Sequence, residues 1–288
     1  MELIKNLKGI ISMAVINDIG IIIVTYNPDL KDFQKNIFRL IDLKRRILIV
    51  DNGSNAKCVT YLKRLSIIQD NIDCIFLRQN KGIGFAQNIG INFFKSKGVN
   101  YLFFLDQDSY IDLSNLEKLK EILISLNNKN EKIIMIGPAQ DYDNLSKSIE
   151  ETSLLISSGS LVLKNAFDKI GNFKEEFFID YIDYEWVWRA QRQGYKVFKT
   201  NKVKMQHQTK GVPRLHGHTI DPIFRLYYIY RNSMYLILYE KIGVKEKTRL
   251  FIRNFGKLIF QINLPQSNKR IKVCFRGIYD GARKKLNI

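Results

Sequence analysis

The chain has 288 residues, 45% of them apolar and 12% aromatic, and a formal charge of +18. That length allows one large domain or two small ones with a sizeable core, and the composition excludes disordered and fibrous classes. The charge is unevenly spread: residues 1–185 hold 23 Lys and Arg against 24 Asp and Glu, whereas residues 186–288 hold 23 against 4. A near-neutral body with a basic last third points to a polyanionic partner, such as nucleic acid, anionic lipid head groups or a phosphorylated substrate. Cys58, Cys74 and Cys274 are far apart and form no Cys-x-x-Cys pair, so a reducing compartment is expected and a disulfide framework is not. Residues 1–13 lack the cleavage site of a signal peptide, and no apolar run reaches the ~18–20 residues of a membrane span. A cytoplasmic protein is therefore expected.

Taken in order, the first half alternates apolar runs with helix-length segments. Residues 19–26 (IGIIIVTY) form a continuous apolar run closed by Asn27-Pro28. Further runs are 47–50 (ILIV), 73–77 (DCIFL), 101–105 (YLFFL) and 133–136 (IIMI). Helical segments are expected at 30–41, 56–68, 83–95 and 114–126. Unbroken apolar strands alternating with helices predict an open, mainly parallel α/β sheet covered on both faces. In such a sheet ligands bind beyond the carboxyl ends of the strands. Residues 154–163 (LLISSGSLVL) read as a strand pair or a strand bent at Gly159, residues 180–193 as a helix entry and helix stopped by Gly194, and 195–198 as a short strand. From Asp221 onward the sequence is helical. There is no repeat and no flexible linker. The divisions expected are an N-terminal extension (1–18), a catalytic domain (19–210) and a basic helical region (211–288).

Three polar clusters close these strands: Thr25-Tyr26-Asn27, Asp51-Asn52-Gly53-Ser54 and Asp106-Gln107-Asp108-Ser109. Each alone is ordinary turn chemistry; three on one sheet edge point to a shared site. Asp106 and Asp108, one residue apart at a strand end, can both reach a divalent cation, and Mg²⁺ and Mn²⁺ favour such oxygen ligands. Asp141-Tyr142-Asp143 is read as a chance repeat of the pattern in a loop. Asp180, Asp183 and Glu185 stand at a helix start, where acidic residues also serve as caps. Trp186 and Trp188 follow at once, and an aromatic wall beside a carboxylate raises its pKa toward general-base range. His207 follows a strand-like run and is placed near the same edge, whereas His216-x-His218 is a weak zinc signal. The turn Lys81-Gly82-Ile83-Gly84 lacks the third glycine of a dinucleotide-binding loop and does not follow the first strand.

Together these residues resemble family 2 glycosyltransferases, and within them the bacterial rhamnosyltransferase-like group. The matching text is IIVTYNP (22–28), VDNGS (50–54), NKGIGFAQNIG (80–90), FLDQDS (104–109), SGSLVL (158–163), DYIDYEWVWR (180–189) and YYIYRN (227–232). The resemblance implies a GT-A fold, a nucleotide-diphosphate sugar as donor and Mn²⁺ or Mg²⁺ as cofactor. It implies that Thr25 and Asn27 line the nucleoside pocket, that Asp51 takes a hydrogen bond from the base, and that Asp106 and Asp108 hold the metal on the diphosphate. Asp183 matches the general base and Glu185 the second acid of that motif. Ile182 stands where a Glu is usual, so the choice between Asp180 and Asp183 stays open. His207 resembles a histidine placed on the metal or diphosphate. Arg231 is a candidate to stabilise the leaving diphosphate, as Asp106 is to contact the donor.

The function expected is an inverting transfer, of rhamnose from dTDP-rhamnose, to a lipid-linked oligosaccharide in surface polysaccharide synthesis. Glucosyl or galactosyl transfer is the alternative within the family. A haloacid-dehalogenase-like phosphatase would carry its Asp-x-Asp on the first strand, not the fourth. A nucleic-acid-binding protein would use the basic tail, but no recognised motif accompanies it, and nucleic acid is not an expected partner. In the tail, Phe251, Phe255, Leu258 and Ile262 recur at helical spacing beside a stripe of Arg249, Arg253 and Lys257. Such a helix either rests its basic stripe on an anionic membrane surface, at the cytoplasmic face, or packs its apolar stripe on the catalytic domain.

Overall fold

The computed structural model describes residues 18–129, 132–140, 143, 145–207, 213–215 and 217–286, with the backbone alone at His207. Almost all of the expected N-terminal extension, and Asp141, Tyr142 and His216, lie outside the described residues. In chain order the elements that position the site are β1 (Ile19–Thr25), α1 (Leu30–Ile41), β2 (Arg46–Asp51), α2 (Ala56–Ile68), β3 (Ile72–Phe76), α3 (Ile83–Lys95), β4 (Tyr101–Asp106), β5 (Ser109–Tyr110), α4 (Leu113–Asn127) and β6 (Ile133–Pro138). They continue with β7 (Ile149–Glu151), β8 (Leu161–Leu163), α5 (Ala166–Ile170), a 3₁₀ turn (Glu175–Phe177), α6 (Ile182–Arg192), β9 (Lys196–Thr200) and β10 (Gln206–His207). The short hairpin β11 (Arg214–Leu215) and β12 (His218–Thr219) leads into α7 (Ile223–Tyr239), α8 (Val244–Ile262) and α9 (Ser267–Ala282).

One eight-stranded sheet runs β3-β2-β1-β4-β8-β6-β9-β7. The pairs β3-β2, β2-β1, β1-β4 and β6-β9 are parallel, whereas β8 is antiparallel to both its neighbours and β7 to β9. The mainly parallel expectation holds, with two short antiparallel strands added. Of the 154–163 segment only its end is a strand; the chain turns at Gly159, whose φ is +80°. Because β1 has β2 on one side and β4 on the other, the strand order reverses there. The carboxyl ends of β1 and β4 therefore flank the crevice where such sheets bind ligands.

The apolar runs are continuous because both faces are covered. Ile21, Ile23, Ile47 and Ile49 join Phe33, Ile37, Leu62 and Leu116 in one core layer. Ile22, Leu48 and Val50 join Ile91, Phe94, Phe177 and Trp186 in the other. Each such side chain contributes about 1.5–3 kcal/mol on leaving water. Side chains also fix the helix starts: Asp29 caps α1 by accepting from the amides of Lys31 and Asp32, and Asn55 caps α2 by accepting from Cys58. Helices α7 and α9 pack closely, since a Cβ at Gly281 would lie 2.2 Å from the Arg231 carbonyl oxygen.

Candidate active site

The registers bring the three polar clusters to one level, as expected: Thr25 pairs with Asp51 across β1-β2, and Val24 with Asp106 across β1-β4. Hydrogen bonds then knit the loops together. The Thr25 hydroxyl donates to Asp51 Oδ1 at 3.1 Å, and the Ser54 amide donates to Asp51 Oδ2 at 3.0 Å. The Tyr26 amide donates to Gln107 Oε1 at 2.8 Å, which ties the end of β1 to the loop between Asp106 and Asp108. Thr25 and Asp51 are both 0% exposed. They stand at the carboxyl ends of β1 and β2 and join the two strands. Asn27 is exposed and fixes the next layer by accepting from the amide and side chain of Asn55, each at 2.9 Å.

The Asp-x-Asp loop is positioned from the far side. Ser158 Oγ accepts from the Asp106 amide at 3.1 Å, and Phe104 exchanges backbone bonds with Gly159 and Ser160. Asp108 Oδ1 accepts from the Ser109 hydroxyl at 3.4 Å. His207 pairs with Ser109 in the β5-β10 ladder, which sets its backbone beside this loop.

Asp183, half-buried in the first turn of α6, accepts from both the hydroxyl and the amide of Ser157. Ser157 Oγ in turn accepts from Gln87 Nε2 at 2.8 Å. Burial pushes the Asp183 carboxyl up from 3.8 to about 7; the Ser157 bonds oppose this, and the charges of Asp106 and Asp180 add to it. Asp180 is placed differently. Its carboxylate accepts from Arg225 Nε at 2.9 Å and Nη2 at 2.8 Å, a bidentate pair. Arg225 and Ser157 drew no notice in the sequence. Ser157 sits in an ordinary Ser-Ser-Gly-Ser turn, and Arg225 is one basic residue among many.

The loop before Asp183 is strained, with φ of +62° at Phe178, +67° at Asp180 and +66° at Tyr181. Non-glycine residues in this region cost on the order of 1–3 kcal/mol each and need external support. Asn232 supplies it: its Nδ2 donates to the carbonyls of Phe177, Ile179 and Asp180 at 2.9, 2.9 and 3.0 Å. Gly82 supplies room, since a Cβ there would lie 2.6 Å from the Phe178 Cα, and its φ is +88°.

Arg231 belongs to the same support. It is 1% exposed, and its guanidinium donates to the carbonyls of Glu176, Phe177 and Leu286 and to Asn232 Oδ1. Glu185 is likewise enclosed by partners. It is 1% exposed and forms a two-pronged pair with Arg189 at 2.8 and 3.0 Å; Arg189 also holds the carbonyls of Ile170 and Asn172. Trp186 does not wall the site either, for it packs on Phe167 and Phe173 and donates to the Gly171 carbonyl at 2.8 Å. Trp188 is buried against Tyr184.

Next to Asp180 lies a polar pocket of about 200 Å³ lined by Tyr181, Tyr184, Asp221, Arg225, Arg253 and Lys257. Arg253 donates to the Tyr181 hydroxyl at 2.6 Å, and Lys257 to Asp221 at 2.5 Å. No group of three or more His, Cys, Asp or Glu side chains able to hold a metal occurs among the described residues. The donor set fits a different mode of holding Mn²⁺ or Mg²⁺. Asp106 and Asp108 offer oxygens alone, and these cations are commonly bound by one or two carboxylates with phosphates completing the shell.

The comparisons with known proteins agree with this geometry. The family model described as glycosyl transferase family 2 matches residues 20–169. The dTDP-rhamnosyl transferase RfbF of Shigella flexneri is 33% identical over 246 residues, covering 77% of this chain and 80% of that one. Among solved structures, S. aureus TarS 1-349 in complex with UDP-GlcNAc superposes with a TM-score of 0.57 at 14% identity, over 93% of this chain and 82% of that one. The mannosyltransferase PcManGT of Pyrobaculum calidifontis, in complex with GDP-Man and Mn²⁺, gives 0.58 at 13% identity, over 92% and 75%. With strand order, loop placement and sequence match in accord, the chain belongs to glycosyltransferase family 2 and is a glycosyltransferase of the GT-A fold.

Proposed function

We propose that the protein transfers rhamnose from dTDP-rhamnose to a lipid-linked saccharide, with inversion, in surface polysaccharide synthesis. The observation that carries the reaction is Asp183: a half-buried carboxylate with its pKa near 7, fixed by Ser157, within reach of the charge of Asp106. The 33% identical dTDP-rhamnosyl transferase supports the choice of sugar, and the resemblance to the rhamnosyltransferase-like group supports the lipid-linked acceptor.

In this reading Asp106 and Asp108 hold Mn²⁺ or Mg²⁺ against the donor diphosphate. The ion, when bound, supplies positive charge for the departing phosphate oxygen. Asn27 and the exposed Tyr26 border the nucleoside side of the crevice. The acceptor hydroxyl attacks the anomeric carbon as the bond to the diphosphate oxygen breaks, and Asp183 takes the hydroxyl proton. A carboxyl poised near neutrality suits that task. Both oxygens of Asp180 are engaged by Arg225, so Asp183 is assigned the base. His207, whose backbone pairs with Ser109, is assigned to the metal side from the family resemblance.

A panel of dTDP-rhamnose, UDP-glucose and UDP-galactose, assayed for nucleotide release with Mn²⁺, Mg²⁺ or EDTA, tests the proposal. Turnover of dTDP-rhamnose that EDTA abolishes is expected, with the product anomer inverted by NMR. Turnover of UDP-hexoses alone would reject rhamnose, and retention of configuration would reject the single displacement.

A further inference from the structure

Helix α8 presents three distinct faces. Leu250, Asn254 and Gln261 are buried. Arg253 and Lys257 reach Tyr181 and Asp221 in the polar pocket. The third face is apolar and open: Phe251, Ile252, Phe255, Ile259 and Ile262 are 64, 63, 58, 48 and 58% exposed. Four of them fall at i, i+4, i+8 and i+11, and so share one side of the helix. The Phe251 and Phe255 rings lie parallel to within 8°, with centroids 6.4 Å apart. Single exposed apolar residues are ordinary, whereas a contiguous row marks a docking surface. The apolar stripe at Phe251, Phe255 and Ile262 faces out rather than onto the catalytic domain, and the basic stripe turns inward at its far end.

We propose that this face docks on an anionic lipid surface, with the helix axis lying in the plane of the head groups. Charge complementarity selects this occupant. Helix α8 carries five Lys and Arg against one Glu, and residues 186–288 hold 23 basic residues against 4 acidic. A second copy of the chain would bring the same excess and repel it. Nucleic acid would match the charge and leave the aromatic row in water. Lys245 and Arg249, both exposed, begin the basic stripe beside the apolar row. The stripe continues through Arg253 and Lys257 to the pocket, so the docked helix sets that pocket beside the head-group layer. No helix among the described residues is long and apolar enough to cross a membrane, so attachment through this helix is to one surface. The inference goes beyond the proposed reaction and does not depend on which sugar is moved.

The test is co-sedimentation of the full chain with phosphatidylcholine vesicles, with and without phosphatidylglycerol. Binding to the anionic vesicles only, weakened by salt, is expected. Phe251→Ser/Phe255→Ser keeps every charge, and Lys245→Glu/Arg249→Glu keeps the apolar row. Each is expected to weaken binding by at least about tenfold with an unchanged circular dichroism spectrum. Ile252→Ser/Ile259→Ser repeats the apolar test should the first pair fail to fold. Three results overturn the proposal: equal behaviour toward both vesicle types, undiminished binding by the apolar variants, or a solution dimer that Phe251→Ser/Phe255→Ser dissociates.

Discussion

Replacing Asp183 by Asn is expected to stabilise the metal-free protein at alkaline pH while removing its activity. The carboxyl is raised from 3.8 to about 7, chiefly by burial. Between these values the folded state binds a proton that the unfolded chain has released. Stability contributed by this group is therefore full below about pH 4 and lost as pH rises to about 7. At about 1.4 kcal/mol per unit, a shift of this size sets a ceiling of ~4 kcal/mol, and relaxation of a half-buried site leaves on the order of 1–2 kcal/mol. Asn keeps an oxygen for the Ser157 donors and removes the charge beside Asp106 and Asp180. Thermal unfolding in EDTA is expected to show a gain of about 2–8 °C at pH 8 and little change at pH 4. Transfer by the same variant is expected to fall by about 10²–10⁴-fold, because an amide cannot accept the proton. Donor affinity should change little. Wild-type turnover, or a melting shift of equal size at both pH values, would refute the assignment of Asp183.

Other variants separate the site from its supports. Asp108→Ala is expected to abolish Mn²⁺-dependent binding of dTDP in calorimetry without lowering the melting temperature; unchanged affinity would remove Asp108 from the metal site. Glu185→Gln breaks a buried pair with Arg189 and is expected to cost about 3–5 kcal/mol in denaturant unfolding, whereas a loss of turnover at unchanged stability would restore a catalytic role. Asn232→Ala removes the donor to the Ile179 and Asp180 carbonyls of the strained loop, while the Phe177 carbonyl keeps Arg231, and should cost ~2–4 kcal/mol and lower kcat more than donor KM. A variant as stable and active as the wild type would show that the loop holds itself.

The sheet and its active edge were legible in the residues because strand-end chemistry is local. A buried parallel strand must be continuously apolar, and its carboxyl end must turn, so Asp51, Asp106 and their neighbours announce their place without reference to the rest of the chain. Helix starts at Asp29 and Asn55 follow from capping of the same local kind. How the environments of Asp180 and Asp183 differ was not legible, for the two are distinguished only by partners distant in sequence. Arg225 lies 45 residues after Asp180 and pairs with it, whereas Ser157 precedes Asp183 and leaves its burial in control of its charge. Arg231 and Glu185 read as site residues from their charge, whereas their burial among partners is a property of the packed molecule. The same holds for α8. Its period shows one apolar stripe and one basic stripe, and only the packing of Leu250, Asn254 and Gln261 inward decides that the phenylalanines face out. Periodicity fixes which residues share a face of a helix; the tertiary structure alone chooses the face that is covered, because that choice depends on surfaces contributed by remote parts of the chain.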